Sequence, residues 1–233
     1  MKICDFGKLV AGVVHNSGDN FISLMIWEVN TGKQIEEYKC NNDCISVVFS
    51  PDGKSFASSE VDIITGETTI IIRDTLTGEE KAKFSNKQST VFALGYSPDG
   101  KILAATDKRG NTNLWDIATS SSISTFKVTV GENREVRVYA LGFSPNANLI
   151  AFSCEGGYVV IWDIATNEQV VVLNASSYWL GTGRAQRASR IAFSPDGSLI
   201  MDNGSGTLLI WGLPDNLLRY PSPLLQQNFT PAN

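Results

Sequence analysis

The sequence has almost none of the residues from which catalytic and metal sites are usually built. Its 233 residues include one histidine, His15, and a single imidazole cannot form a catalytic triad or a paired metal site. The four cysteines are Cys4, Cys40, Cys44 and Cys154, and no second Cys or His pair accompanies Cys40 and Cys44. We therefore expect free thiols, no bound metal and no cofactor.

Long hydrophobic runs and an excess of positive charge are also missing. No apolar stretch approaches the roughly 18 residues of a membrane-spanning helix, and residues 1–6 carry an early acid and no apolar core, unlike a signal peptide. The net charge of −5 argues against general nucleic-acid binding. Free thiols without a signal peptide favour a reducing compartment, so we expect a cytoplasmic protein, with a nuclear place as the alternative.

A repeated unit is what the sequence does contain, and residues 138–174 show it best. Four apolar runs lie in this unit, at 139–143, 149–153, 158–162 and 169–173, with short polar or glycine-rich links between them. The pattern is typical of short antiparallel strands joined by hairpins. A four-stranded meander of this size cannot bury both faces alone, so it needs similar units packed against it.

Copies of the unit are marked by a Ser-Pro turn after the first strand. The turns begin at Ser50, Ser97, Ser144 and Ser194, at steps of 47, 47 and 50 residues, and their composition favours type I turns. An aromatic residue precedes each turn, and we expect these residues to be buried between adjacent units: Phe49, Tyr96, Phe143 and Phe193. The third strand ends on a tryptophan that we also expect to be buried, at Trp115, Trp162 and Trp211, with Trp27 in the first copy and Arg73 in the second. Five registered copies indicate a radial repeat.

The turns, together with the Leu-Trp-Asp sequence at 114–116 and the Ile-Trp-Asp sequence at 161–163, make the chain similar to the WD-repeat family of β-propellers. The resemblance covers about residues 7–213. It implies an all-β propeller of about five four-stranded antiparallel blades, the first lacking most of its inner strand. The predicted blades are residues 1–39, 45–84, 91–127, 138–174 and 190–220, and residues 221–233 form a tail.

The chain also departs from the family pattern. The Gly-His pair that usually opens each repeat is absent, and Arg109, Gly156 and Ser205 stand where the family has an aspartate. We therefore expect the blades to rest mainly on apolar packing. Three arrangements fit the blade count: a fragment that needs further blades, a closed five-bladed ring, or an open arc that pairs with another chain. An open arc would expose apolar blade edges and self-associate.

The resemblance implies a non-catalytic protein-interaction scaffold. No nucleophile elbow or phosphate-binding loop is present, and the predicted inner strands at 45–49, 91–96, 139–143 and 191–193 contain no carboxylate, so we do not expect an enzyme. The alternative is a glycan- or small-molecule-binding five-bladed propeller. The recurring tryptophan at a strand end favours packing over sugar binding.

A candidate docking surface is predicted from two similar connections, before the fourth and fifth blades. Both read Gly-x-x-Arg-x-x-Arg, with Arg134 and Arg137 in the first connection and Arg184 and Arg187 in the second. The second also carries Tyr178 and Trp179, and Tyr, Trp and Arg dominate binding hot spots. The family resemblance places such connections on one face of a propeller. We predict a basic rim for an acidic or phosphorylated protein partner. The alternative is a pair of solvated loops whose arginines pair with nearby acids such as Glu132 and Glu135.

Overall fold

The computed structural model describes residues 2–3, 9–15, 22–40, 43–62, 64–86, 90–131, 133–174, 190–202 and 208–213. Within these residues the chain is all β, apart from one short 3-10 turn at Glu155–Gly157. The strands form five sheets in chain order and one small hairpin. The all-β prediction of repeated antiparallel blades is confirmed.

The first three sheets each contain four strands, and the order in each sheet follows the chain. The first is β1 (Lys2–Ile3), β2 (Leu9–His15), β3 (Ile22–Glu28) and β4 (Gln34–Cys40). The second is β5 (Asp43–Phe49), β6 (Ser55–Val61), β7 (Thr68–Asp74) and β8 (Glu80–Asn86). The third is β9 (Val91–Tyr96), β10 (Ile102–Asp107), β11 (Asn111–Asp116) and β12 (Ser122–Lys127). The predicted loss of most of the first inner strand concerns residues 4–8, which lie outside the described residues.

In chain order, a small hairpin follows the third sheet and precedes the fourth. It consists of β13 (Thr129–Val130) and β14 (Arg134–Glu135). The fourth sheet is β15 (Val138–Phe143), β16 (Leu149–Cys154), β17 (Tyr158–Asp163) and β18 (Glu168–Asn174). The fifth has three described strands, β19 (Arg190–Phe193), β20 (Leu199–Asp202) and β21 (Leu208–Trp211). The fifth blade was predicted to continue to residue 220, and residues 214–220 lie outside the described residues.

The Ser-Pro turns close as the sequence predicts. In the second sheet the Gly53 N–H donates to the Ser50 carbonyl at 2.9 Å, and the Ser50 hydroxyl donates to the Asp52 carboxylate at 2.7 Å. Gly53 has a φ of 69°, a left-handed conformation that favours glycine. The fourth sheet builds the same turn with Ala147, which adopts a φ of 60° in place of glycine.

The chain divides into two compact units. The first unit is Met1–Ala105 with Leu114–Ile123, and the second is Thr106–Asn113 with Ser124–Asn233. In the first unit, Phe49 packs with Ala11, Leu24 and Ile26 of the first sheet. In the second unit, residues of the fourth and fifth sheets share one core, which includes Leu149, Ile161, Val171, Ile191, Leu199 and Met201. Within each unit, apolar side chains on one sheet therefore bury those of a neighbouring sheet, as a stacked repeat requires.

The predicted core aromatics fall into two groups. Phe49, Phe143, Trp115 and Trp162 are all less than 10% exposed, which confirms their predicted burial. Tyr96 and Phe193 are half-buried, and each packs against a core cluster. The side chain of Trp211 lies outside the described part of the structure.

An aromatic residue on the fourth strand of a sheet packs against an aromatic residue of the next sheet. The sequence did not predict this contact. Phe84 lies 5.4 Å from Trp115, and Phe126 stacks on Trp162 at 3.9 Å with an angle of 7° between the ring planes. The second sheet has no tryptophan, and Tyr38 of the first sheet lies 5.2 Å from Phe56 on β6. Ring pairs in these geometries add stability beyond the area that they bury.

The second sheet replaces the tryptophan with an ion pair. Arg73 donates to the Glu60 carboxylate at 2.7 Å and to the Ser58 hydroxyl at 3.0 Å, and Glu80 accepts a longer bond at 3.3 Å. Glu60 retains only 7% of its side-chain exposure. The expectation that the blades rest mainly on apolar packing is therefore incomplete for this sheet.

Candidate functional site

The hairpin β13–β14 carries the first of the two predicted arginine connections. Thr129 pairs with Glu135 and Val130 pairs with Arg134 across a tight turn. Gly131 and Asn133 adopt φ values of 57° and 60°, which suit glycine and asparagine. A loop was expected here from the sequence, and the structure shows a two-stranded hairpin.

Buried valines fix the hairpin to the second unit. Val128, Val130 and Val136 form a row of valines that are each 5% exposed or less, whereas Gly131 and residues 133–135 of the hairpin are exposed. Burial of this valine row anchors the hairpin to the second unit by apolar contacts. The hairpin that carries Arg134 is therefore held in place by apolar burial.

The turn between β10 and β11 lies against this hairpin. The Val128 N–H donates to the Gly110 carbonyl at 2.9 Å, and the Val138 N–H donates to the Lys108 carbonyl at 3.2 Å. A Cβ atom on Gly110 would lie 2.7 Å from the Val128 carbonyl oxygen, so the close approach requires glycine. The buried carboxylate of Asp107 holds the turn by accepting bonds from the N–H groups of Arg109 and Asn111 at 2.7 and 2.9 Å.

Five exposed cations lie on the hairpin, on the residues that flank it and on the β10–β11 turn bonded to it, and we call them the basic cluster: Lys108, Arg109, Lys127, Arg134 and Arg137. The Arg134 guanidinium lies 5.4 Å from the centre of the Tyr158 ring, within the range of a cation–π contact. The Arg137 carbonyl accepts a hydrogen bond at 2.8 Å from the N–H of Glu155, in the 3-10 turn. The cluster thus draws on the third sheet, the hairpin and the edge of the fourth sheet.

Among the described residues, three acids accompany the basic cluster: Asp107, Glu135 and Glu155. Asp107 is buried and bonded within its turn, and Glu155 is half-buried. Glu135 is exposed and forms an ion pair with Lys127. The Lys127 ammonium and, more weakly, the Arg109 guanidinium hold the pKa of Glu135 below its usual range. The basic cluster is therefore exposed, and Lys127 already binds a carboxylate of the same chain.

Two of the six predicted site residues, Arg134 and Arg137, lie in the described structure, and both belong to the basic cluster. The other four, Tyr178, Trp179, Arg184 and Arg187, lie outside the described residues. Lys108, Arg109 and Lys127 were not among the predicted site residues. In an antiparallel meander the link between the second and third strands emerges at the same end as the link between sheets, so strand parity could have identified Lys108 and Arg109.

The described residues offer little for other kinds of chemistry. No group of three or more His, Cys, Asp or Glu side chains in this part of the chain is placed to hold a metal ion. Cys154 is buried, and burial raises its pKa to about 12, so the thiol is not an activated nucleophile. No helix in the described ranges is long and apolar enough to cross a membrane.

Part of the repeated sequence matches a known family model. The family model of the WD domain, G-beta repeat (WD40) matches residues 78–116 and 121–163. The chain carries two WD40 repeats. Each matched segment begins just before the outer strand of one sheet and ends with the third strand of the next, so a WD40 repeat spans two neighbouring sheets. The WD-repeat prediction made from the turns and tryptophans is confirmed.

WD40 repeats generally act as non-catalytic scaffolds for protein–protein interaction. No curated protein matches this chain. In the two matched WD40 repeats, Trp115 and Trp162 are buried against Phe84 and Phe126, so these tryptophans serve packing between sheets. They are not presented at the surface as sugar-binding residues would be.

Proposed function

We propose that this chain is a protein-interaction scaffold that docks an acidic segment of a partner protein on its basic cluster. The observation that carries the proposal is the exposure of the five cations of the basic cluster, on a chain whose net charge is −5. A local positive surface on an acidic protein orients a negative partner and speeds its association.

The construction of the cluster supports a docking role. The valine row and the backbone bonds to Lys108 and Gly110 support the cationic residues before any partner arrives. A preorganised surface loses less conformational entropy on binding, so more of the interaction energy appears as affinity. Three of the five cations are arginines, whose planar guanidinium groups can bind carboxylate or phosphate oxygens in pairs.

The second arginine connection extends the proposed surface. Arg184 and Arg187 repeat the spacing of Arg134 and Arg137, and Tyr178 and Trp179 precede them in the same connection. In the proposal these residues add aromatic anchors and further positive charge beside the basic cluster.

The experiment is a pull-down from cell extract with charge-reversed protein. Arg134, Arg137, Arg184 and Arg187 are changed to Glu together, and folding is checked by circular dichroism. We expect partners to be lost from this variant. Partners of the unchanged protein should also dissociate between about 0.1 and 1 M salt, as the Debye length falls from about 10 to 3 Å.

The matched control reverses the charge of exposed lysines in the Ser-Pro turns of the first unit, Lys54→Glu with Lys101→Glu. This control should retain its partners. If the arginine variant keeps the same partners with the same salt sensitivity, the basic cluster is not the docking surface.

A further inference from the structure

Glu135 lies within the basic cluster and occupies part of it. Its carboxylate forms an ion pair with Lys127, and the positive charge of Arg109 also acts on it. The residue stands at the end of β14, directly after Arg134. The cluster therefore already holds one negative group of its own chain.

We propose that Glu135 is a tethered competitor for the anion site, and that the ligand is a segment of a partner protein carrying a phosphorylated serine or threonine. This inference rests on the docking surface proposed above. It adds to it the kind of negative group that the surface selects.

The surface should favour phosphate over carboxylate, because an incoming group must replace the Glu135 carboxylate. A single carboxylate from a partner would take the place of the Glu135 carboxylate, so one charge of −1 is exchanged for another and little is gained. A phosphate brings a charge of about −1.5 to −2 and three acceptor oxygens, enough for Lys127 and several guanidinium groups together. Specificity is a difference between affinities, and the internal carboxylate lowers the affinity for its own kind of group.

The internal ion pair can be exchanged easily. The side chains of Lys127 and Glu135 are 38% and 64% exposed, and ion pairs this open to water contribute little to stability. Val136, the next residue, is buried and holds the hairpin in place when the Glu135 side chain turns away. Exchange therefore needs a side-chain rotation and no change of the backbone.

The inference is tested by fluorescence anisotropy with a labelled peptide that carries a central phosphoserine, its glutamate counterpart and its serine counterpart. We expect the unchanged protein to bind the phosphoserine peptide at least about tenfold more tightly than the glutamate peptide, given the strength of hydrogen bonds to charged groups. Glu135→Gln should tighten binding of the phosphoserine peptide by about two- to fivefold, because no competitor must be displaced. Glu168→Gln, which removes the same charge from an exposed residue of β18, should leave binding unchanged.

A second variant separates competition from simple repulsion. Lys127→Gln should weaken binding by a larger factor in the Glu135→Gln background than in the unchanged protein, because there the ammonium is open to the ligand. Equal factors in the two backgrounds would overturn the competitor role. Equal affinity for the phosphoserine and glutamate peptides would overturn the selection of phosphate.

The outcomes also separate this inference from the proposed function. If glutamate and phosphoserine peptides bind equally and Arg134→Gln weakens both, the docking surface stands and the inference fails. If neither peptide binds more tightly than the serine peptide, both fail. Inorganic phosphate serves as competitor, and displacement of the phosphoserine peptide by phosphate of equal affinity would overturn the assignment to a partner segment.

Discussion

Replacing Arg73 with methionine should lower the free energy of unfolding by about 3 kcal/mol. Arg73 forms an ion pair at 2.7 Å with Glu60, whose side chain is 7% exposed, so the substitution leaves a buried carboxylate without its partner. Removing one partner of a buried ion pair costs about 3–5 kcal/mol. The lower value of this range applies because the Arg73 side chain is 16% exposed, so water can partly replace the guanidinium as a partner of Glu60. The longer contact with Glu80 adds little, since Glu80 is 55% exposed.

The assay is urea unfolding followed by circular dichroism at neutral pH. A double variant, Glu60→Leu with Arg73→Met, removes both charges and should recover most of the lost stability, because apolar side chains replace a buried ion pair at little cost. Lys83→Met, an exposed change on β8, serves as the control and should stay within about 0.5 kcal/mol. The reasoning is refuted if Arg73→Met costs less than about 1 kcal/mol, or if the double variant is less stable than the single one.

Three further predictions concern the repeat itself. Phe143→Ala should cost about 3–5 kcal/mol in the same assay, since the ring is 9% exposed, and a cost below about 1 kcal/mol would contradict the proposed register. Ala147→Gly should raise stability by about 0.5–1 kcal/mol, because Ala147 adopts a φ of 60° that the other Ser-Pro turns give to glycine; an unchanged midpoint would show that this turn carries no strain. The Ser97 hydroxyl, with the Lys101 N–H, holds the pKa of Asp99 below its usual range, so the stability from this carboxylate is present above about pH 4 and lost as the pH falls further. Asp99→Asn should keep the turn, as Asn146 does in the fourth sheet, and show a smaller loss between pH 7 and pH 3; an equal loss would assign the acid sensitivity elsewhere.

The strands and turns could be predicted because their signals are local. The Ser-Pro turns use side-chain bonds within five residues, and the alternation of apolar residues decides which face of a strand is buried. The partner of Arg73 could not be predicted from such local signals. Arg73 was predicted to stand at the tryptophan position, but its ion pair with Glu60 depends on the register of β6 and β7. In that register Arg73 pairs with Phe56, and its side chain reaches along β6 to Glu60.

The candidate site was predicted only in part, for a similar reason. Arg134 and Arg137 were found through a spacing that repeats in the sequence. Lys108 and Arg109 join them because Gly110 allows the β10–β11 turn to approach Val128, a contact between segments about 18 residues apart. Lys127 joins them through its ion pair with Glu135 on β14. This pair depends on a hairpin where a loop was expected.

Hydrogen exchange of the protein with and without the phosphoserine peptide tests the central claim most directly, because it locates the bound segment on the chain. We predict slower exchange in residues 108–110 and 128–137, which carry the basic cluster, and unchanged exchange in the Ser-Pro turns at 50–53 and 97–100. Slower exchange confined to the Ser-Pro turns, or no change anywhere at a peptide concentration that saturates binding, would contradict docking on the basic cluster.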